Sequence, residues 1–158
     1  MEIDVKKKNY EELLIQIKAL ISNEFPLISN LSNITSLLKE KFQWWWVGFY
    51  VIEDDKMFLG PFQGPLACMS IPYGKGVCGR AWEEKTIIIV PDVTKFAGHI
   101  ACSSFSRSEI VIPILGDNNE VKLVLDIDSQ YIATFDDIDA YYLKKIAYLI
   151  NNLCKITK

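Results

Sequence analysis

Apolar positions recur at helical spacing near the start of the chain, at Tyr10, Leu13, Leu14, Ile17, Leu20 and Ile21, which predicts one face of an amphipathic helix. Asn9 followed three residues later by Glu12 resembles a capping box that starts it, and Pro26 lies just beyond its end. A second helix is predicted over about 31–41, with Leu31, Ile34 and Leu38 on one stripe after the capping-type pair Ser29 and Asn30. The period then changes. Residues 44–52 are aromatic and β-branched, 53–56 form an acidic turn and 57–62 read as a returning strand, so a hairpin is expected. Beyond a glycine-rich segment, 77–85 has a short helical pattern, 86–90 reads as a buried strand and 91–106 as a long loop, whose length marks it as functional. Two further strands, 107–115 and 121–128, flank the turn signal Gly116-Asp117-Asn118-Asn119. A terminal helix over 136–154, capped by Asp136, turns Leu143, Ile146, Ala147, Ile150 and Leu153 inward.

Helices at both ends of a run of mainly hairpin-linked strands predict an α+β fold. Its central sheet is mainly antiparallel, the N- and C-terminal helices pack on one face, and loops build a pocket on the other. With no repeat and no linker, residues 1–158 read as a single domain.

Half of the residues are hydrophobic, which argues against disorder, and no apolar run approaches the roughly 20 residues of a membrane span. The N-terminus lacks the uninterrupted apolar centre of a secretory signal, so a cytoplasmic location is expected. A formal charge of -3 without a basic stripe argues against a nucleic-acid partner, and no membrane partner is expected. Small-molecule chemistry is the better expectation. In a reducing compartment the four cysteines are read as free, metal-bound or transiently oxidised rather than as structural disulfides.

Three of those cysteines stand in segments rich in Gly, Pro, Ser or Ala: Cys68, Cys78 and Cys102. In such irregular surroundings a sulfur can be exposed and its backbone can move, which thiol redox chemistry requires. Cys154 reads as a small buried hydrophobe on the last helix. On the first strand Trp46, Gly48 and Tyr50 share a face while Trp45, Val47 and Phe49 point away. Gly48 then leaves a hollow between two aromatics that would hold a small apolar or cationic group, with the indole N–H and phenol O–H as polar handles. The same pattern also fits a plain aromatic core with Gly48 accommodating a neighbour. Asp126 and Asp128 face one way on the last strand and Glu109 opens the strand beside it. Together they would bind an ammonium group or keep one carboxyl protonated as a general acid, or else be solvated strand ends.

His99 is the only histidine and precedes Cys102 by three residues. A thiol-imidazole pair is one reading, and a structural or solvent-facing role the preferred one. Cys68, Cys78, His99 and Cys102 have the ligand types of a zinc site, yet the cysteines are ten and twenty-four residues apart, unlike the paired short spacings of structural zinc. No metal is therefore expected. The run 74–79 lacks the residue order of a phosphate loop.

Taken in order, Trp-Val-Gly-Phe-Tyr (46–50), Leu-Gly-Pro-Phe-Gln-Gly (59–64), Gly-Lys-Gly-Val-Cys-Gly (74–79), Val-Pro-Asp-Val (90–93), Gly-His-Ile-Ala-Cys (98–102), Ser-Glu-Ile-Val-Ile-Pro-Ile (108–114) and Leu-Asp-Ile-Asp-Ser (125–129) resemble free methionine-R-sulfoxide reductase, a family with the GAF fold. The resemblance covers roughly 40–150. It implies that Cys102 is the nucleophile, Cys68 the resolving cysteine and Cys78 an accessory thiol. It further implies a substrate pocket of Trp46, Tyr50, Glu109, Asp126 and Asp128, with an acid of that cluster protonating the departing oxygen. Free methionine-R-sulfoxide would be the substrate, thioredoxin recharged by NADPH and thioredoxin reductase the external reductant, and no cofactor would be bound. The family is often dimeric, so a homodimer is expected. The chain departs from the family at Leu123, where a glycine is expected, and in the extra aromatics Trp44 and Trp45. A noncatalytic GAF module that binds a small ligand or senses oxidants is the rival reading.

Overall fold

Acidic turn residues make the first hairpin. Asp54 and Asp55 both take positive φ, 49° and 59°, which twists the turn to match the strands it joins, β1 (Trp46–Glu53) and β2 (Lys56–Gln63). A computed structural model describes residues 1–102 and 105–154, and of Cys154 the backbone alone. The burial expected for Cys154 and the last four residues of the expected 1–158 domain lie outside the described residues. Among the described residues a six-stranded antiparallel sheet has the order β3-β2-β1-β6-β5-β4, with β3 at Ser70–Ile71, β4 at Ile88–Val90, β5 at Ser108–Leu115 and β6 at Val121–Ser129. The two-residue β3 has no periodic signal and was not expected.

Strand alternation gives the sheet two chemically different faces. Val47 and Phe49 of β1, Ile110, Ile112 and Ile114 of β5, and Leu123, Leu125 and Ile127 of β6 point to one side. They pack against α1 (Ile3–Leu20), α2 (Leu27–Phe42) and α4 (Asp137–Cys154), whose Leu13, Ile17, Leu31, Ile34, Leu38, Leu143, Ile146 and Ile150 are buried there. Each such side chain contributes about 1.5–3 kcal/mol. A one-residue slip of β5 would turn its three isoleucines outward and Glu109 into this core, so register is strongly specified. On the other face Trp46, Tyr50, Val111 and Val124 meet Val77, Cys78 and Ala81 of α3 (Gly76–Glu84). The α+β architecture, with terminal helices on one face, is as expected.

Three local expectations are corrected. The first helix begins at Ile3, so Asn9 lies inside it and starts nothing. It extends back because Lys6 and Tyr10 are drawn onto α4, where Asp139 accepts hydrogen bonds from Lys6 Nζ at 2.5 Å and Tyr10 Oη at 2.6 Å. The second helix starts at Leu27, directly after Pro26. Asn30 is not a cap: its buried side chain donates to the Ser22 and Pro26 carbonyls and accepts from the Ser22 N–H, tying the α1–α2 connection to α2. Trp44 precedes β1 and joins the helix-side core. Asp136 does cap α4, its Oδ1 accepting from the N–H groups of Ile138 and Asp139. No helix among the described residues is long and apolar enough to cross a membrane.

Candidate active site

Cross-strand register assembles the acids. Asp128 is paired with both Glu109 and Trp46, and Asp126 with both Val111 and Gly48. The three carboxyls and two aromatics therefore share the face opposite the helical core. Glu109 and Asp126 are buried, and Asp128 is partly so. The reading of these acids as solvated strand ends is overturned. Ser106 Oγ donates to Asp128 Oδ1 at 2.6 Å, and His99 Nε2 stands 3.5 Å from Glu109 Oε2. Among the described residues Asp126 Oδ1 is buried with no hydrogen-bond partner.

Burial and crowding decide the protonation of this cluster. Burial, then the Asp128 charge, pushes Glu109 up to about 8. Asp126 and Asp128 are also raised, each by burial first and then by its acidic neighbour. Burial lowers His99, so its contact with Glu109 at neutral pH joins a neutral imidazole to a largely protonated carboxyl. No Lys or Arg is among the described residues lining the cavity. Carboxyls in this state can donate a proton to an oxygen, or ionise opposite a cationic ligand that supplies the missing charge.

Trp46 and Tyr50 both line the cavity, and their polar atoms are engaged by the chain beside it. Trp46 Nε1 donates to the Pro65 carbonyl at 3.1 Å and Tyr50 Oη to the Cys68 carbonyl at 3.0 Å. Their polar handles are thus spent on the segment between β2 and β3, and they tether Cys68. Gly48 leaves no empty hollow and accommodates a neighbouring ring instead, the second of the two readings of this strand. A Cβ there would lie 2.7 Å from Trp46 Cζ3 and 2.6 Å from Phe62 Cβ, so the gap is filled by the Trp46 indole, which stacks on Phe62 at 5.4 Å. Trp45 does not point away: it precedes β1, where strand alternation does not apply, and lines the cavity.

Cys68 and Cys102 are joined in a disulfide, with Cα atoms 5.4 Å apart across 34 residues of sequence. Both half-cystines are partly exposed and sit in irregular chain, as their neighbours Gly64, Pro65 and Gly98 require. Cys78 contradicts the expectation of a loop thiol. It lies in the first turn of α3, buried, with its thiol raised by burial and by Asp126, to which it is hydrogen-bonded. A buried protonated thiol is a poor nucleophile. In this state the four residues of the zinc reading cannot all serve as ligands, because the sulfurs of Cys68 and Cys102 are bonded to each other.

Every residue expected in the site except Cys68 lines one cavity of about 50 Å³, and Cys68 reaches it through its disulfide to Cys102. Sequence reasoning passed over Ser106 and Trp45 and left His99 outside the site. Ser106 carried no signal, since its partner is 22 positions away in sequence. Spacing from Cys102 did flag His99, but for the wrong partner.

Comparison with known proteins agrees with this geometry. The GAF domain family model matches residues 31–153. GAF domain-containing protein A of Dictyostelium discoideum is 50% identical over 148 residues, covering 93% of this chain and 93% of that protein. Free methionine-R-sulfoxide reductase of Saccharomyces cerevisiae is 41% identical over 157 residues, covering 94% of this chain and 87% of that protein. The X-ray structure of free methionine-R-sulfoxide reductase from Neisseria meningitidis in complex with its substrate superposes with a TM-score of 0.90 at 46% identity, covering 93% of this chain and 89% of that one. The chain belongs to the GAF domain family, in the group that includes the free methionine-R-sulfoxide reductases.

Proposed function

We propose that this protein reduces free L-methionine-R-sulfoxide to L-methionine. The observation that carries the reading is the Cys68–Cys102 disulfide closing over a cavity floored by three carboxyls, in a chain whose relatives bear that reductase's name. Cys102 as thiolate attacks the sulfoxide sulfur. An acid of the Glu109, Asp126 and Asp128 cluster protonates the sulfoxide oxygen, which passes from the substrate sulfur to Cys102 as the transient sulfur–sulfur bond breaks, leaving Cys102 as a sulfenic acid and releasing methionine. Cys68 then displaces that oxygen as water and the disulfide forms. Two thiols have been oxidised and one sulfoxide reduced, so electrons balance. A dithiol of the thioredoxin type, recharged by NADPH and thioredoxin reductase, reopens the disulfide by exchange. Such a donor belongs to the cytoplasm.

The same geometry supports selectivity for the free amino acid. Among the described residues no Lys or Arg lines the cavity with the acids, and an α-ammonium would supply the cation, whereas a peptide-bound residue carries none. Cys78, buried and protonated, is then a packing and hydrogen-bonding residue for Asp126 rather than a second resolving thiol.

The test is NADPH consumption coupled through thioredoxin and its reductase, comparing the free R sulfoxide, the free S sulfoxide and a peptide-bound sulfoxide. Turnover of the free R form alone is expected. No turnover with any of the three, given reduced thiols, would overturn the reading in favour of a ligand-binding or redox-sensing GAF module.

A further inference from the structure

We propose that Cys78, Glu109 and Asp126 form a binding site for a zinc-class divalent cation, one that persists when Cys68 and Cys102 are oxidised. One sulfur and one oxygen from each carboxylate lie within 4.8 Å of one another, all buried. They arrive from three elements, α3, β5 and β6, so sheet register and helix packing hold them in place without a flexible loop. Asp126 Oδ1 adds an independent indication. Asp126 is hydrogen-bonded to Cys78, yet its Oδ1 is a buried carboxyl oxygen with no hydrogen-bond partner among the described residues, in a cavity that offers no Lys or Arg among them. A buried acceptor left in that state is costly, and a cation would satisfy it.

Donor chemistry selects the class of ion. Magnesium and calcium take all-oxygen shells, whereas one thiolate with two carboxylates suits zinc, cobalt or cadmium. Three protein donors leave a fourth position open, and the cavity of about 50 Å³ has room for a water there. His99, 3.5 Å from Glu109 Oε2, stands where it would orient that carboxylate toward the ion. Binding must displace the Cys78 proton, so affinity rises with pH. The ion would fill the cavity floor and exclude any ligand that uses the same acids. Cation binding itself does not depend on the reaction proposed above.

The experiment uses the full chain with its Cys68–Cys102 disulfide intact, stripped of metal and titrated with Co²⁺ alone. One equivalent is expected to give a thiolate-to-cobalt charge-transfer band and the visible bands of a four-coordinate ion, both abolished by added Zn²⁺. Cys78→Ser is expected to lose the charge-transfer band, and Glu109→Gln to weaken binding about tenfold or more, each with an unchanged circular dichroism spectrum. Cys154→Ser is expected to behave as the unsubstituted protein. A band that is absent, that survives in Cys78→Ser or that disappears in Cys154→Ser would overturn the proposal. If the bands appear as expected while no sulfoxide is turned over, the cation site stands and the reductase reading falls.

Discussion

Glu109 and Asp128 face each other as direct partners across β5 and β6, on the side of the sheet away from the helical core. Burial together with this juxtaposition holds Glu109 protonated up to about pH 8, against 4.5 for a free glutamate. Between those two values the unfolded chain releases a proton that the native chain keeps. Folding stability supplied by this group is therefore complete below pH 4.5 and is lost as pH rises toward 8. Glu109→Gln cannot titrate, so its melting temperature should decline less steeply over that window than the unsubstituted protein's. Parallel thermal melts across the window measure this, and identical slopes would contradict the assignment.

Thiol roles separate by stoichiometry. Cys102→Ser should show no steady-state turnover, because the attacking sulfur is gone. Cys68→Ser should release about one methionine per chain and then stop, since the sulfenic acid has no partner with which to form the disulfide. Quantifying methionine against protein in a single-turnover mixture tests both, and full steady-state activity in Cys102→Ser would remove the basis of the mechanism.

Gly48→Ala probes the contact between strand and indole. Its Cβ would sit 2.6 Å from Phe62 Cβ and 2.7 Å from Trp46 Cζ3, neither of them the free end of a flexible chain. Overpacking of this kind costs about 1–3 kcal/mol. Displacing Trp46 also weakens its hydrogen bond to the Pro65 carbonyl and so loosens the segment that carries Cys68. Urea denaturation should report the lost stability, and the rate of Cys68–Cys102 closure under a mild oxidant should fall. An unchanged closure rate would show that Trp46 does not hold that segment.

Asp139→Ala tests the joint between the terminal helices. Asp139 is fully buried and holds Lys6 and Tyr10, while Lys6 keeps a second, more exposed partner in Asp136 at 3.1 Å. Removing one partner of a buried pair costs about 3–5 kcal/mol, and the remaining contact places the expected loss at the lower end. Because this network lies on the helical side, the kcat of the folded fraction should not change. A large fall in kcat at full folding would mean that the two faces are coupled.

Legibility in the sequence followed the range of the physics involved. Periodicity located the long helices and hairpin strands, because alternation and helical spacing are local consequences of burying one face. The same alternation put Trp46, Gly48 and Tyr50 on one side and Asp126 and Asp128 together, which the sheet bears out. Helix starts were misplaced where distant partners intervened: Lys6 looks like a solvent residue until Asp139, 133 positions later, is brought to it.

What the sequence determined by itself was the set of elements, the two-faced sheet and the residue types gathered near the cysteines, since each follows from patterns a few residues long. Tertiary structure decided which groups meet. It paired Cys68 with Cys102 and buried Cys78, spent the Trp46 and Tyr50 hydrogen bonds on the Cys68 segment, and set His99 against Glu109. The reason is that proximity across strands, and the desolvation that raises the acids, arise only when segments far apart in the chain pack against one another.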